Sequence, residues 1–219
     1  MPQIAPLRLT RAQTLLDGAL QDHPLTVAEG QITDTPAREL DLSGYLLLPG
    51  IIDLHGDGFE RHLAPRPSAP FDQTKALASA AAELAVNGIT TAWFAQSWSW
   101  EGAQRGPDHC EAVLAAVQAY RPQMMTDLRV QIRAETHLVA ETQRLIDTVK
   151  RFGVGYVVFN DHLEEGFQMH RSNPDGFAHW ARKAGLTEGQ LLARMESARD
   201  RAREVPRALC AMASAFDEL

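Results

Sequence analysis

Five side chains of this 219-residue chain have the chemistry to bind a metal ion or move a proton: His55, Asp57, Glu135, Asp161 and His162. His55 and Asp57 follow the apolar run Leu46-Leu47-Leu48-Pro49-Gly50-Ile51-Ile52 and stand two residues apart. On a strand, residues two apart point the same way, so both can face one ion. Imidazole and carboxylate without thiolate suit zinc, with manganese or iron as alternatives. A bare His-x-Asp is as readily a polar turn after a strand, and only its neighbours can single this one out.

Positioning these groups requires strands that end together. The apolar run, uncharged before Asp53, reads as a strand buried on both faces. Residues 89–94, 128–135 and 154–159 read as three more strands. Glu135 closes the third, and the fourth leads into Asn160-Asp161-His162. Between them, Asp72 is placed to cap a helix through Leu77, Ala81 and Leu84 that ends at Asn87-Gly88. Pro107 opens a second helix with Cys110, Val113, Leu114 and Val117 on one face, and residues 138–151 form a third. This alternation predicts an α/β fold whose parallel strands share one functional edge.

The flanks carry no chemistry of this kind. Residues 7–10, 25–27 and 31–33 read as short strands, with a turn at Glu29-Gly30 between the last two. Pro65, Pro67 and Pro70 argue for extended chain after the first ligands. Beyond His162 the pattern is helical. Asn173-Pro174-Asp175 starts one helix, Thr187-Glu188-Gly189-Gln190 is a capping box, and Pro206 marks a break.

The formal charge of −7 argues against a general nucleic-acid binder, yet local arginines suffice for an anionic small molecule. Cys110 and Cys210 form no metal or disulfide framework and read as small apolar residues on helices. No leader or membrane-length apolar run is evident, so no membrane partner is expected and a cytoplasmic protein is.

Residues 46–57, continued by Glu60 and Pro65-Arg66-Pro67, resemble the opening strand of the amidohydrolase superfamily. There a Pro-Gly-(apolar)-(apolar)-Asp-x-His-x-His pattern delivers two metal ligands. Asp57 in place of the second histidine, with Pro65-Arg66-Pro67, is similar to the α-D-ribose 1-methylphosphonate 5-triphosphate diphosphatases of the carbon–phosphorus lyase pathway. The likeness thins through Asn87-Gly88-Ile89-Thr90-Thr91 to Asp161-His162.

The resemblance implies the first half of a (β/α)8 amidohydrolase-type barrel at residues 48–219, preceded by part of a small β-sandwich at residues 1–47. It implies a hydrolase in which a metal-bound hydroxide attacks phosphorus and pyrophosphate leaves a phosphorylated sugar. His55, Asp57, Glu135 and His162 would be the metal ligands, with His137 a rival to Glu135. Asp57 and Glu135 would be catalytic, and Arg61 and Arg66 would bind phosphate through the planar guanidinium fork. A complete barrel takes about 250 residues. With four strands, the chain is expected to be truncated or completed by a partner, and to form homo-oligomers. The alternatives are a superfamily hydrolase acting on C–N bonds and a non-catalytic fragment.

Overall fold

The computed structural model describes residues 5–66 and 71–219, and divides into two compact units, Met1–Ile51 and Ile52–Leu219. In the first unit, β1 (Leu7–Thr10), β4 (Leu25–Ala28), β5 (Gln31–Thr33) and β6 (Arg38–Asp41) form a sheet in the order β5-β4-β1-β6. A second sheet, β3-β2-β7, joins β2 (Gln13–Leu16), β3 (Ala19–Asp22) and β7 (Leu46–Leu47). Glu29-Gly30 is the expected turn, with φ of 53° and 76°, the double left-handed geometry of a tight hairpin. Asp17-Gly18 makes the same turn between β2 and β3. Strands β3 and β6 are exposed throughout and lack hydrophobic alternation, so no pattern in the sequence announces them.

The second unit contains a four-stranded sheet flanked by helices. Strand β8 (Ile51–Gly56) leads through α1 (Glu60–Leu63) and α2 (Gln73–Val86) to β9 (Ile89–Trp98). Then follow α3 (Pro107–Tyr120), β10 (Asp127–Glu135), α4 (Thr142–Phe152) and β11 (Val157–Asn160). The sheet order is β11-β10-β9-β8, and both β9 and β11 pair parallel to β10. Pro67 and Pro70 lie outside the described residues, whereas α1 is a short helix that the proline-rich reading of this region did not anticipate.

Period-two alternation divides β10 between two environments. Leu128, Val130, Ile132 and Ala134 join the main core with Leu77 of α2, the four expected α3 residues, and Leu145 and Val149 of α4. Arg129, Gln131, Arg133 and Glu135 therefore occupy the opposite face. Arg144 ties α4 to α3 by hydrogen bonds to Glu111 at 2.9 and 3.0 Å and to Asp108 at 2.6 Å. These bonds, Glu111's foremost, raise its guanidinium pKa above the ordinary arginine value.

One expectation is overturned at β8. The apolar run is not one strand buried on both faces; it breaks at Pro49-Gly50 into β7 and β8. Ile51, Ile52 and Leu54 are each more than half exposed. The reason is position: β8 is an outer strand of its sheet, with β9 on one side and no partner among the described residues on the other. Cys210 likewise lies exposed on its helix, whereas Cys110 is fully buried and burial raises its thiol pKa.

The helices after β11 form a second core. The helices α5 (Leu163–Ser172), α6 (Pro174–Lys183) and α7 (Glu188–Asp200) enclose Leu163, Phe167, Phe177, Leu191 and Met195, together with Trp100 from the loop after β9. Asn173 caps α6, and Thr187 and Gln190 form the expected capping box of α7. The break falls just ahead of Pro206, which occupies the first turn of α8 (Val205–Asp217). This last helix returns to the main core, where Met212 is buried.

Candidate functional site

Parallel pairing places Glu135, the last residue of β10, beside Asn160, the last of β11. The backbone N–H of Thr136 donates to Asn160 O at 2.9 Å and locks the two exits together. Two residues on, His162 precedes the first turn of α5 and folds back onto Glu135. Its backbone N–H donates to Glu135 Oε2 at 3.1 Å, and its ring Nδ1 lies 2.5 Å from Glu135 Oε1. The carboxylate side chain is only 4 % exposed, while the imidazole is 38 % exposed. A buried carboxylate on Nδ1 fixes ring orientation and leaves Nε2 as the free nitrogen, the arrangement of a histidine ligand or proton carrier.

A second pair lies alongside. His137 Nδ1 is 3.4 Å from Asp161 Oδ1 and 3.4 Å from Thr136 Oγ1. His137 therefore has its own carboxylate, Asp161, beside the Glu135–His162 pair.

His55 and Asp57 are exposed at the end of β8, with β9 and β10 between them and β11. The bond made at His55 is to its backbone, whose N–H donates to Asp53 Oδ1 at 3.0 Å. Among the described residues, no group of three or more His, Cys, Asp or Glu side chains is gathered closely enough to hold a metal ion. One chain thus presents the expected ligands as two separate half-sets. Among the described residues, neither half-set by itself gathers the three or more ligands that would hold an ion.

The two arginines expected to bind phosphate also differ from each other. Arg61 is ion-paired to Glu83, which also contacts His62 Nε2 at 2.7 Å. The His62 hydrogen bond, followed by the charges of Arg61 and His62, holds the Glu83 carboxyl below its ordinary pKa. Arg66 is exposed, and its neighbour Pro67 lies outside the described residues.

A larger polar network joins elements that no sequence pattern connects. Glu101, just past β9, is buried and accepts from the indole N–H of Trp180 and from Arg105, the latter at 3.4 Å. Arg105 also reaches Glu60 at 3.5 Å, and Lys183 donates to Glu60 at 3.2 Å. Arg194 of α7 donates to the Glu101 carbonyl at 2.7 Å, packed so closely over Gly102 that a Cβ there would clash. Burial works against the Arg105 charge, but Glu101 and Glu60 outweigh it and raise its pKa. The only sequence signal for it is the i,i+4 spacing of Glu101 and Arg105; Trp98 and Trp100 are core residues.

His109, near this network, has its pKa lowered by burial, partly offset by the Glu60 charge. Below about pH 6.5 the unfolded chain therefore binds a proton that the folded chain resists. Stability is expected to fall as pH drops from that value through the depressed folded-state pKa, and to lose no more at this residue below it. His109→Gln should flatten this part of the profile, read as urea midpoints between about pH 8 and about pH 5. An unchanged profile would place the titration elsewhere.

No protein-family model matches the chain, and no curated protein matches it. Among solved structures, the crystal structure of an uncharacterized protein aligns over 97% of this chain and 73% of that one. The TM-score is 0.46 and the identity 12%.

Proposed function

We propose that this chain is a metal-dependent hydrolase of the amidohydrolase type, its four-stranded sheet being half of a (β/α)8 barrel. The reaction is cleavage of a phosphoric anhydride in a phosphorylated sugar, with release of pyrophosphate, and the ion is zinc, manganese or iron. The observation that carries this reading is the Glu135–His162 pair at adjacent parallel-strand exits, 2.5 Å apart, on the edge where α/β enzymes place their chemistry. The Pro-Gly-x-x-Asp-x-His-x-Asp run that ends at Asp57 supports it by resemblance.

In this reading Glu135 is a positioning residue whose buried carboxylate fixes the ring. His162 presents Nε2 at the strand edge, where it can accept or return a proton at a reacting oxygen. Arg66, exposed and past the first ligands, faces the charge of the substrate. Arg61 would have to exchange Glu83 for phosphate before serving there.

The test is pyrophosphate release from α-D-ribose 1-methylphosphonate 5-triphosphate by the purified chain, supplied in turn with zinc, manganese and ferrous iron. A cyclic amide is the comparison substrate. Release from the triphosphate alone is expected. No turnover with any of the three ions, in protein shown to be folded, would remove the reading.

A further inference from the structure

We infer that the groove between α7 and the loop after β10 is an anion site, built to take the phosphate group of a small phosphorylated molecule. All of its walls belong to the second unit, and the inference does not depend on the proposed hydrolysis.

The groove has a volume of about 230 Å³. Arg194, Ser197 and Arg201 line one side of it, with His137 and Leu138 from the loop after β10 and Trp100 from the loop after β9. Arg194 and Ser197 lie on α7 and Arg201 is its C-cap residue. Their i, i+3, i+7 spacing puts all three side chains on one face of the helix. Leu191 and Met195 anchor the same helix in the second core, so this polar face is held in place.

Each guanidinium is already fixed by a partner and keeps further N–H donors. Arg194 donates from Nη1 to the Glu101 carbonyl at 2.7 Å, a backbone acceptor that leaves its charge unneutralised. Arg201 binds Glu204 through Nε and Nη2, at 2.8 and 2.7 Å, which leaves its Nη1 edge. Groups ordered beforehand lose less freedom when a ligand arrives. Glu204 answers Arg201, and Asp161 answers His137 at 3.4 Å, so Arg194 supplies the net positive charge. Trp100 is only 5% exposed, and its Nε1 is buried without a hydrogen-bond partner among the described residues. This wall therefore holds more donors than acceptors, and the ligand that suits it brings oxygens.

The spacing of the arginines selects phosphate over carboxylate. Seven residues of helix separate their Cα atoms by about 10 Å, a span that two arginine side chains can close on one anion between them. A single guanidinium fork fills both oxygens of a carboxylate, whereas the terminal oxygens of a phosphate can accept from two forks at once. The groove is smaller than the roughly 300–1,000 Å³ of sites for drug-sized ligands, so the molecule is a phosphate on a short carbon body.

Titration calorimetry of the full chain with inorganic phosphate, at matched ionic strength, should show one saturable site with a Kd of about 1 mM. Acetate under the same conditions should bind more weakly. Arg201→Gln should weaken phosphate by about tenfold or more, with an unchanged far-ultraviolet spectrum. Should that variant disturb the end of α7, Ser197→Leu at an exposed position makes the same test by filling the groove. No saturable binding, acetate bound as tightly as phosphate, or an unchanged Kd in both variants would each overturn the site.

Its failure and that of the hydrolase are distinguishable. Pyrophosphate release by a chain whose phosphate affinity ignores both variants removes the groove and leaves the hydrolase standing. Phosphate binding that Ser197→Leu abolishes, in a wild type that hydrolyses nothing, upholds the groove and removes the hydrolase.

Discussion

Glu101→Ala is expected to cost about 3–5 kcal/mol of folding stability, the range for removing one partner of a buried ion pair. The carboxylate side chain is 7% exposed and serves Arg105, the indole N–H of Trp180 and the Ser99 hydroxyl. Its loss leaves a guanidinium that is itself only 30% exposed with Glu60, at 3.5 Å, as its remaining carboxylate, and its Nε already lacks a partner. The two partners from outside the loop after β9, Trp180 and Arg194, belong to α6 and α7. Opening of the α5–α7 group should therefore become easier than opening of the main core. Urea unfolding measures the total, and amide exchange in α5–α7 locates it. Glu101→Gln, which keeps the shape but not the charge, should fall between wild type and alanine. A variant within about 0.5 kcal/mol of wild type, the range of ordinary surface changes, would show that Glu101 does not hold these helices.

The second large effect concerns activity. In the proposed hydrolase, His162→Ala is expected to lower kcat by about 10²–10⁴-fold, the usual contribution of a positioned proton carrier. Glu135→Gln should act through the ring it holds and cost about 10–100-fold, the range for partners that orient a histidine ligand. The two losses should not add, because both act through one imidazole. A fall in kcat with KM unchanged in Glu135→Gln separates positioning from bulk structural damage. His137→Asn breaks the neighbouring pair with Asp161 and serves as the control, with an expected effect under tenfold. Equal losses for His137→Asn and His162→Ala would mean that the wrong histidine has been assigned.

Much of the chain was legible because the deciding interactions are local. Asp72 accepts from the N–H of Lys75 at 3.0 Å, and the Thr187–Gln190 capping box closes within three residues. The buried face of α3 follows from helical spacing alone, and the β4–β5 hairpin from Glu29-Gly30. The four strands of the α/β unit were each visible as apolar or alternating runs. Their boundaries moved: 89–94 extends to Ile89–Trp98, 154–159 becomes Val157–Asn160, and the first run breaks at Pro49-Gly50.

The candidate site divides along the same line. Residue types and the two-residue spacing of His55 and Asp57 were enough to nominate ligands at strand exits. Tertiary structure decided which of them meet. His162 is 27 residues from Glu135 and reaches it only because β10 and β11 end in register. Lys183 is 123 residues from the Glu60 carboxylate it contacts, a pairing that no local pattern encodes. The environment of β8 was also beyond composition. Ile51, Ile52 and Leu54 have the makeup of a central strand, but burial depends on what lies alongside, and sheet order puts them at an edge. Local propensity determines which elements form, whereas the order in which they pair determines which side chains share a site and which remain exposed.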